Sequence, residues 1–186
     1  MINKGGKGSF KWIFIIMLVS LGIASLWDKV PAIKNGIHAV LNPSAGALLD
    51  WNLTIGMLLI ILFLNFIITL VQKYATDQEE LKKLKKEQKE VQKEMKTQKG
   101  NPQKMMELQK KQMKFIPQQF KLSMGSIIYT AIPLILLFRW FYDYFGAIEE
   151  ATGMPVRFFG ILGWFLFYLI FSITFSSVLK KIMKVA

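Results

Sequence analysis

Residues 77–120 read DQEELKKLKKEQKEVQKEMKTQKGNPQKMMELQKKQMKFIPQQF, a lysine-rich stretch set between segments that carry almost no charge. Its first half places Leu81, Leu84, Val91 and Met95 at alternating three- and four-residue steps, with Gln88 filling the gap. That spacing is the seam of a coiled coil with one polar position. Lys99-Gly100-Asn101-Pro102 then interrupts it with strong breakers, and Met106, Gln109, Met113, Ile116 and Phe120 resume the same alternation. Two helices joined by so tight a turn run antiparallel, so the stretch predicts a helical hairpin over residues 73–122. Pro117 predicts a break between the hairpin and the segment that follows.

On either side the chain is apolar. It has 186 residues, 53% of them hydrophobic, yet carries 24 Lys and Arg against 12 Asp and Glu, a net charge of +12. Four apolar stretches, Phe10 to Trp27, Leu53 to Val71, Gly125 to Phe145 and Phe158 to Leu179, are each close to the roughly 20 residues a helix needs to cross a bilayer. The sequence therefore reads as an all-α integral membrane protein. Residues 1–27 form a basic N-terminus and first hydrophobic helix, either a retained signal anchor or, with Gly22-Ile23-Ala24 as a small-residue site, a signal peptide. Residues 28–52 are an external segment, 53–72 a first core span, and 73–122 the hairpin. Residues 123–145 are a second core span, 146–157 an external loop, 158–179 a third core span, and 180–186 a basic tail.

Orientation follows from the lysines. Lys4, Lys7 and Lys11, the 14 Lys from Lys73 to Lys121, and Lys180, Lys181 and Lys184 make 20 of the 24 basic residues, and all lie on one side if every stretch crosses. The positive-inside tendency assigns that side to the cytoplasm of the cell, with the hairpin and both termini inside. Asp28, Asp50, Asp143, Glu149 and Glu150 lie at the other side, where Trp27, Trp51, Trp140, Tyr142 and Tyr144 gather as an aromatic belt. In the external segment, Val30, Ile33, Ile37, Val40 and Leu41 recur at helical spacing opposite Lys34, Asn35 and His38, until Asn42-Pro43 stops the pattern. This is either a helix lying in the interface or a plain tether, with His38 on its polar face. Asn52-Leu53-Thr54 has the glycosylation pattern but abuts the membrane.

Several function classes lose their parts. There is no Cys and one His, so neither a thiolate nucleophile nor a sulfur- or His-rich metal site is expected. Gly5-Gly6-Lys7-Gly8-Ser9 lacks the spacing of a nucleotide-binding loop. No enzymatic activity, metal or cofactor is expected.

Polar residues inside the spans carry more information. Asn65, Thr69 and Gln72 share one face of the first core span, with Lys73 at its end; Ser126 and Thr130 share a face beside Tyr129; Tyr168, Ser172 and Ser176 do the same in the third. Most lie in the half nearer the hairpin. Ser and Thr often bond to their own helix, but a buried amide such as Asn65 needs a partner in hydrocarbon. The three stripes are either simple interhelical bonds or the lining of a shared polar cavity open on the hairpin side. Pro133 frees the carbonyl of Tyr129 and is expected to kink the second span. In the hairpin, Met95, Met105, Met106 and Met113 crowd the distal half. They either fill an imperfect two-helix core or form a contact surface for varied apolar segments. From Lys73 to Lys121 there are 14 Lys against 7 acidic residues, and the resulting +7 suits anionic lipids or ribosomal RNA.

A span, a lysine-rich hairpin carrying Asp77-Gln78-Glu79 and Asn101-Pro102-Gln103-Lys104-Met105-Met106-Glu107-Leu108-Gln109, and then two spans with Pro133 in the first of them resemble one family. The chain is similar, from about Leu53 to Leu179, to archaeal YidC-like proteins of the YidC/Oxa/Alb membrane insertase superfamily. The resemblance implies an insertase and chaperone that receives hydrophobic segments of nascent membrane proteins from the ribosome and releases them into the bilayer, alone or beside a translocon or targeting factor. It implies a three-helix core with a hydrophilic groove, matched in position by Asn65, Thr69, Gln72, Ser126, Thr130, Ser172 and Ser176, and a hairpin that first contacts the client. Bacterial members carry a groove Arg in the first core span; this chain has none there, and Lys73 is the nearest cation. A small channel or transporter and a ribosome-recruiting scaffold are the competing readings.

Overall fold

A computed structural model describes residues 8–98 and 100–185. Lys4 and Lys7, with most of the glycine-rich run around them, Lys99 and Ala186 lie outside the described residues. Helix α1 (Gly8–Leu26) leads into α2 (Pro31–Leu41), a π-helical turn (Asn42–Gly46) and the short α3 (Ala47–Trp51). Then come α4 (Leu53–Ala75), α5 (Gln78–Thr97), α6 (Pro102–Thr152), the two-residue strands β1 (Arg157–Phe158) and β2 (Leu162–Gly163), and α7 (Trp164–Ile182). The architecture is all-α apart from that small antiparallel β pair, in which Phe158 faces Leu162. Helix α4, residues Tyr129–Thr152 of α6, and α7 are each long and apolar enough to cross a membrane.

The helix starts are written in short polar side chains. Asn52 Oδ1 accepts from the Ile55 amide at 2.9 Å and opens α4, which gives the apparent glycosylation triplet a capping role. Asp77 accepts from the amides of Glu79 and Glu80 to open α5, whose first turn is thereby acidic, as the helix dipole favours. Asn101 caps α6 from the Lys104 amide.

Helix α6 overturns two expectations. It runs unbroken for 51 residues, so Pro117 does not break the helix between hairpin and span. Pro133 lies within the same helix. Each proline removes one backbone donor, but intact turns on both sides and packing against neighbouring helices hold the rod together. The helix also continues to Thr152, where Gly153 ends it at φ +67°, so most of the expected loop 146–157 is helical. In turn, α7 starts at Trp164, and Phe158, expected to begin the third core span, sits in the β pair with its ring stacked on Phe167 at 4.3 Å. Asn42-Pro43 likewise does not stop the external helix; the wider π turn accommodates Pro43 near its start, and the chain stays helical to Trp51.

Helix α4 packs against both α6 and α7, whereas α6 and α7 approach each other mainly through aromatic rings. Those rings, among them Phe141, Phe145, Trp164 and Phe167, fill the end far from the hairpin. Close helix contacts use glycine: a Cβ on Gly56 would lie 2.2 Å from the Leu48 carbonyl, and one on Gly125 would lie 2.6 Å from the Ala75 carbonyl.

The N-terminal helices dock on the far end of α6 through Asp143. One oxygen of its carboxylate accepts from Trp27 Nε1 at 2.8 Å, contacts His38 Nε2 at 3.1 Å, and pairs with Lys34 Nζ at 3.1 Å. Hydrogen bonding to Asp143 holds the Lys34 ammonium above the ordinary lysine range. Asp28 bridges Lys34 and Arg139, Trp140 Nε1 donates to Asn42 Oδ1 at 2.8 Å, and Tyr144 donates to Asp50. His38, expected only to line a polar face, is thus one arm of a far-side polar cluster.

Candidate functional site

The hairpin packs α5 against the first part of α6, with Leu84 and Val91 meeting Leu108 and Phe115, and Met95 and Leu122 at the edges. The α5 half of the seam is as the spacing predicts. The α6 half is not: the seam runs through Leu108, Phe115 and Leu122, with Met105 half-buried, one residue ahead of the expected Met106, Gln109, Met113, Ile116 and Phe120. Both sets follow the same three–four spacing, and Leu108 and Phe115 take the inside in place of Gln109 and Ile116. Met106 and Met113 are therefore 59% and 67% exposed, and with Ile116 they form an apolar stripe facing away from α5. Met105 is half-buried, and Met95 is partly buried in the seam.

Among the spans, two of the three polar stripes come together. Asn65, 3% exposed, donates through Nδ2 to the Ile61 carbonyl at 2.8 Å and accepts through Oδ1 from Ser172 Oγ at 3.1 Å. The amide side chain thus ties α4 to α7. Thr69, 1% exposed, donates to the Asn65 carbonyl at 2.6 Å and is used up within its own helix. Asn65, Tyr168, Ser172, Ser176 and Ser177 line a cavity of about 560 Å³ between α4 and α7, whose α6 wall is Leu134 and Phe138. The ring of Tyr168 stands edge-on to Phe138 at 4.8 Å and marks the end of the polar lining.

The stripe on α6 does not enter that cavity, which corrects the expectation of one shared groove. Close approach of Gly125 to Ala75 presses the start of the α6 span against the end of α4 and buries Ser126 there. Ser126 donates to the Ser123 carbonyl, and Thr130 donates to the Ser126 carbonyl at 2.9 Å. Ser126 and Gln72 line a second, smaller cavity of about 230 Å³ at the base of the hairpin. Tyr129 is 67% exposed, Lys73 is exposed, and neither lines the two cavities.

Lys180 is the residue that sequence reasoning assigned elsewhere. Counted as a tail charge, it is helical and lines both cavities. The signal was present in the spacing: Ser172, Ser176 and Lys180 lie four residues apart and therefore share a face. Chemically, the larger cavity sets one amide, several hydroxyls and one ammonium group beside apolar side chains such as Ile68, Leu169 and Ile173, and has no Asp or Glu in its lining. No group of potential metal ligands occurs among the described residues.

No curated protein and no solved structure matches the chain. A family model described as integral membrane protein EMC3/TMCO1-like matches residues 39–186, which take in every span of the core and the whole hairpin. That family lies in the Oxa1/YidC/Alb3/EMC3 insertase superfamily, a coarser placement than the YidC-like kinship expected from the order of parts. With its three apolar helices, its hairpin and this match, the chain is a multi-pass membrane protein that belongs to the EMC3/TMCO1-like family.

Proposed function

We propose that the chain is a membrane protein insertase of the archaeal YidC-like kind, acting in the cell membrane with the hairpin and both termini in the cytoplasm. It is not an enzyme and uses no cofactor. The observation that carries the reading is the Asn65–Ser172 bridge in a cavity that is polar toward the hairpin and ends against packed aromatic rings. A charged flank moved to the centre of a bilayer costs about 2.5–3.5 kcal/mol per residue on insertion scales. A hydrated cavity reaching partway across shortens that dry path, and the apolar part of the client leaves sideways between α6 and α7 into lipid. The exposed Met106, Met113 and Ile116 stripe supplies a first apolar contact, and the +7 hairpin draws the ribosome, rRNA and anionic lipid. A translocon or targeting factor can act upstream of the same cavity. Packing of α1 itself along α6 supports a retained first helix in place of a cleaved signal peptide.

The test is photocrosslinking from Ser172 and Ser176 to a nascent membrane segment on stalled ribosomes, with Ile170 on the exposed face of the same helix as control. Crosslinks from the two serines and none from Ile170 are expected. Ribosome binding without any cavity crosslink would leave a recruiting scaffold as the better description.

A further inference from the structure

The smaller cavity lies where four helices converge at the level at which the spans end. Gln72 reaches it from α4, Lys85 from α5, Gln119, Ser123 and Ser126 from α6, and Lys180 from α7. Two of these are lysines from distant parts of the sequence that the fold brings to one cavity. No Asp or Glu lines the cavity, and neither lysine has an ion pair among the described residues. With both lysines at the rim of one cavity that holds no carboxylate, the site carries a local positive charge that an anion would neutralise.

We propose that this cavity binds a phosphate group, that of an anionic phospholipid headgroup. Two ammonium groups, amide N–H donors of glutamine and the Ser123 hydroxyl are the donor set that phosphate oxygens accept from. With a water taking about 30 Å³ of liquid volume, 230 Å³ holds a phosphate and a few waters but no acyl chain. The position selects a lipid over a soluble anion: Lys180 and Gln72 belong to the last turns of spanning helices, where headgroups lie. A lipid held there fastens the base of the hairpin to the membrane. The site stands on its own residues and does not depend on the insertase reading.

Native mass spectrometry of the full chain in detergent tests this, with phosphatidylglycerol as ligand, phosphatidylcholine as the zwitterionic comparison and inorganic phosphate as competitor. One phosphatidylglycerol is expected to bind in preference to phosphatidylcholine. Lys85→Gln and Lys180→Gln should each weaken it about tenfold, the loss expected for one charge-assisted hydrogen bond. Lys180→Arg should retain it, as should Lys89→Gln with Lys93→Gln, which removes the same charge from the exposed hairpin surface. Displacement by millimolar phosphate would support the phosphate site and make its source a soluble anion. Undiminished binding by the Lys85→Gln, Lys180→Gln pair, or equal weakening by the Lys89, Lys93 pair, overturns the proposal. Because Lys85 is on the exposed surface of α5, its variant is expected to fold even if Lys180→Gln does not.

Discussion

Replacing Asn65 with Leu and Ser172 with Ala would remove the α4–α7 bridge and make the middle of the larger cavity apolar. The effect on folding is expected to be small. An interhelical hydrogen bond in a membrane protein contributes about 0.6 kcal/mol on average and at most about 1.7, and Leu replaces the amide with apolar bulk. The effect on insertion is expected to be larger and selective. Asn65 lies ten residues before the end of α4 at Ala75, about 15 Å along the axis, which is half of a hydrocarbon core of about 30 Å. A cavity wet to that depth removes about half the dry path of a charged flank, or about 1.5 kcal/mol of a penalty near 3. Drying it should therefore slow insertion about tenfold for each charge carried across. The assay is protease protection of single-span clients in proteoliposomes, with translocated flanks bearing no charge, one charge or two. Neutral flanks should insert within twofold of wild type, one charge should lose about tenfold, and two should lose more. An equal loss for neutral and charged flanks, or no loss at all, would refute the reasoning.

Three further outcomes follow from the packing. Asp143→Asn removes the anion shared by Trp27, Lys34 and His38 and should lower stability by about 1–3 kcal/mol, read as earlier thermal unfolding in detergent and faster proteolysis between α1 and α2. Gly56→Ala sets a Cβ against the Leu48 carbonyl and should cost about 1–3 kcal/mol, while Gly146→Ala, with open space around it, should stabilise the helix by up to about 1 kcal/mol in the same unfolding measurement. In the hairpin, Leu108→Ala or Phe115→Ala should cost about 2–5 kcal/mol, whereas Met106→Ser with Met113→Ser should leave stability unchanged and reduce client crosslinking from the hairpin; a stability loss in the Met variant would return those residues to the core.

The spans and the hairpin were legible because length and charge are one-dimensional quantities: about 20 apolar residues, or 14 lysines between two such runs, need no tertiary knowledge. The phase of the α6 seam was not legible. A seam through 106, 109, 113 and 116 and one through 105, 108, 112 and 115 fit the same template, and only the partner helix selects between them. Pro117 and Asn42-Pro43 misled for a related reason, since local breakers state a preference that packing on neighbouring helices overrides. At the site, the pairing of Asn65 with the Ser172 face was readable from helical spacing, but the exclusion of Ser126 and Thr130 was not, because it depends on how closely Gly125 lets α6 approach Ala75. Asp143 gave no signal as a single acid in an aromatic run, although three donors from the N-terminal segment converge on it.

The unbroken course of α6 makes it a lever. At 51 residues it is about 76 Å long, and its tight contact with α4 at Gly125 serves as a fulcrum near the middle. A load on the hairpin tip acts on an arm of about 35 Å, and the opposite arm carries Asp143, Tyr144 and the helices they hold before it ends at Thr152. Tilting the rod by about ten degrees displaces both ends by about 6 Å in opposite directions. With no hinge loop to absorb that motion, whatever weighs on the hairpin is felt on the other face of the membrane, and Pro117 and Pro133 set how stiffly it is transmitted.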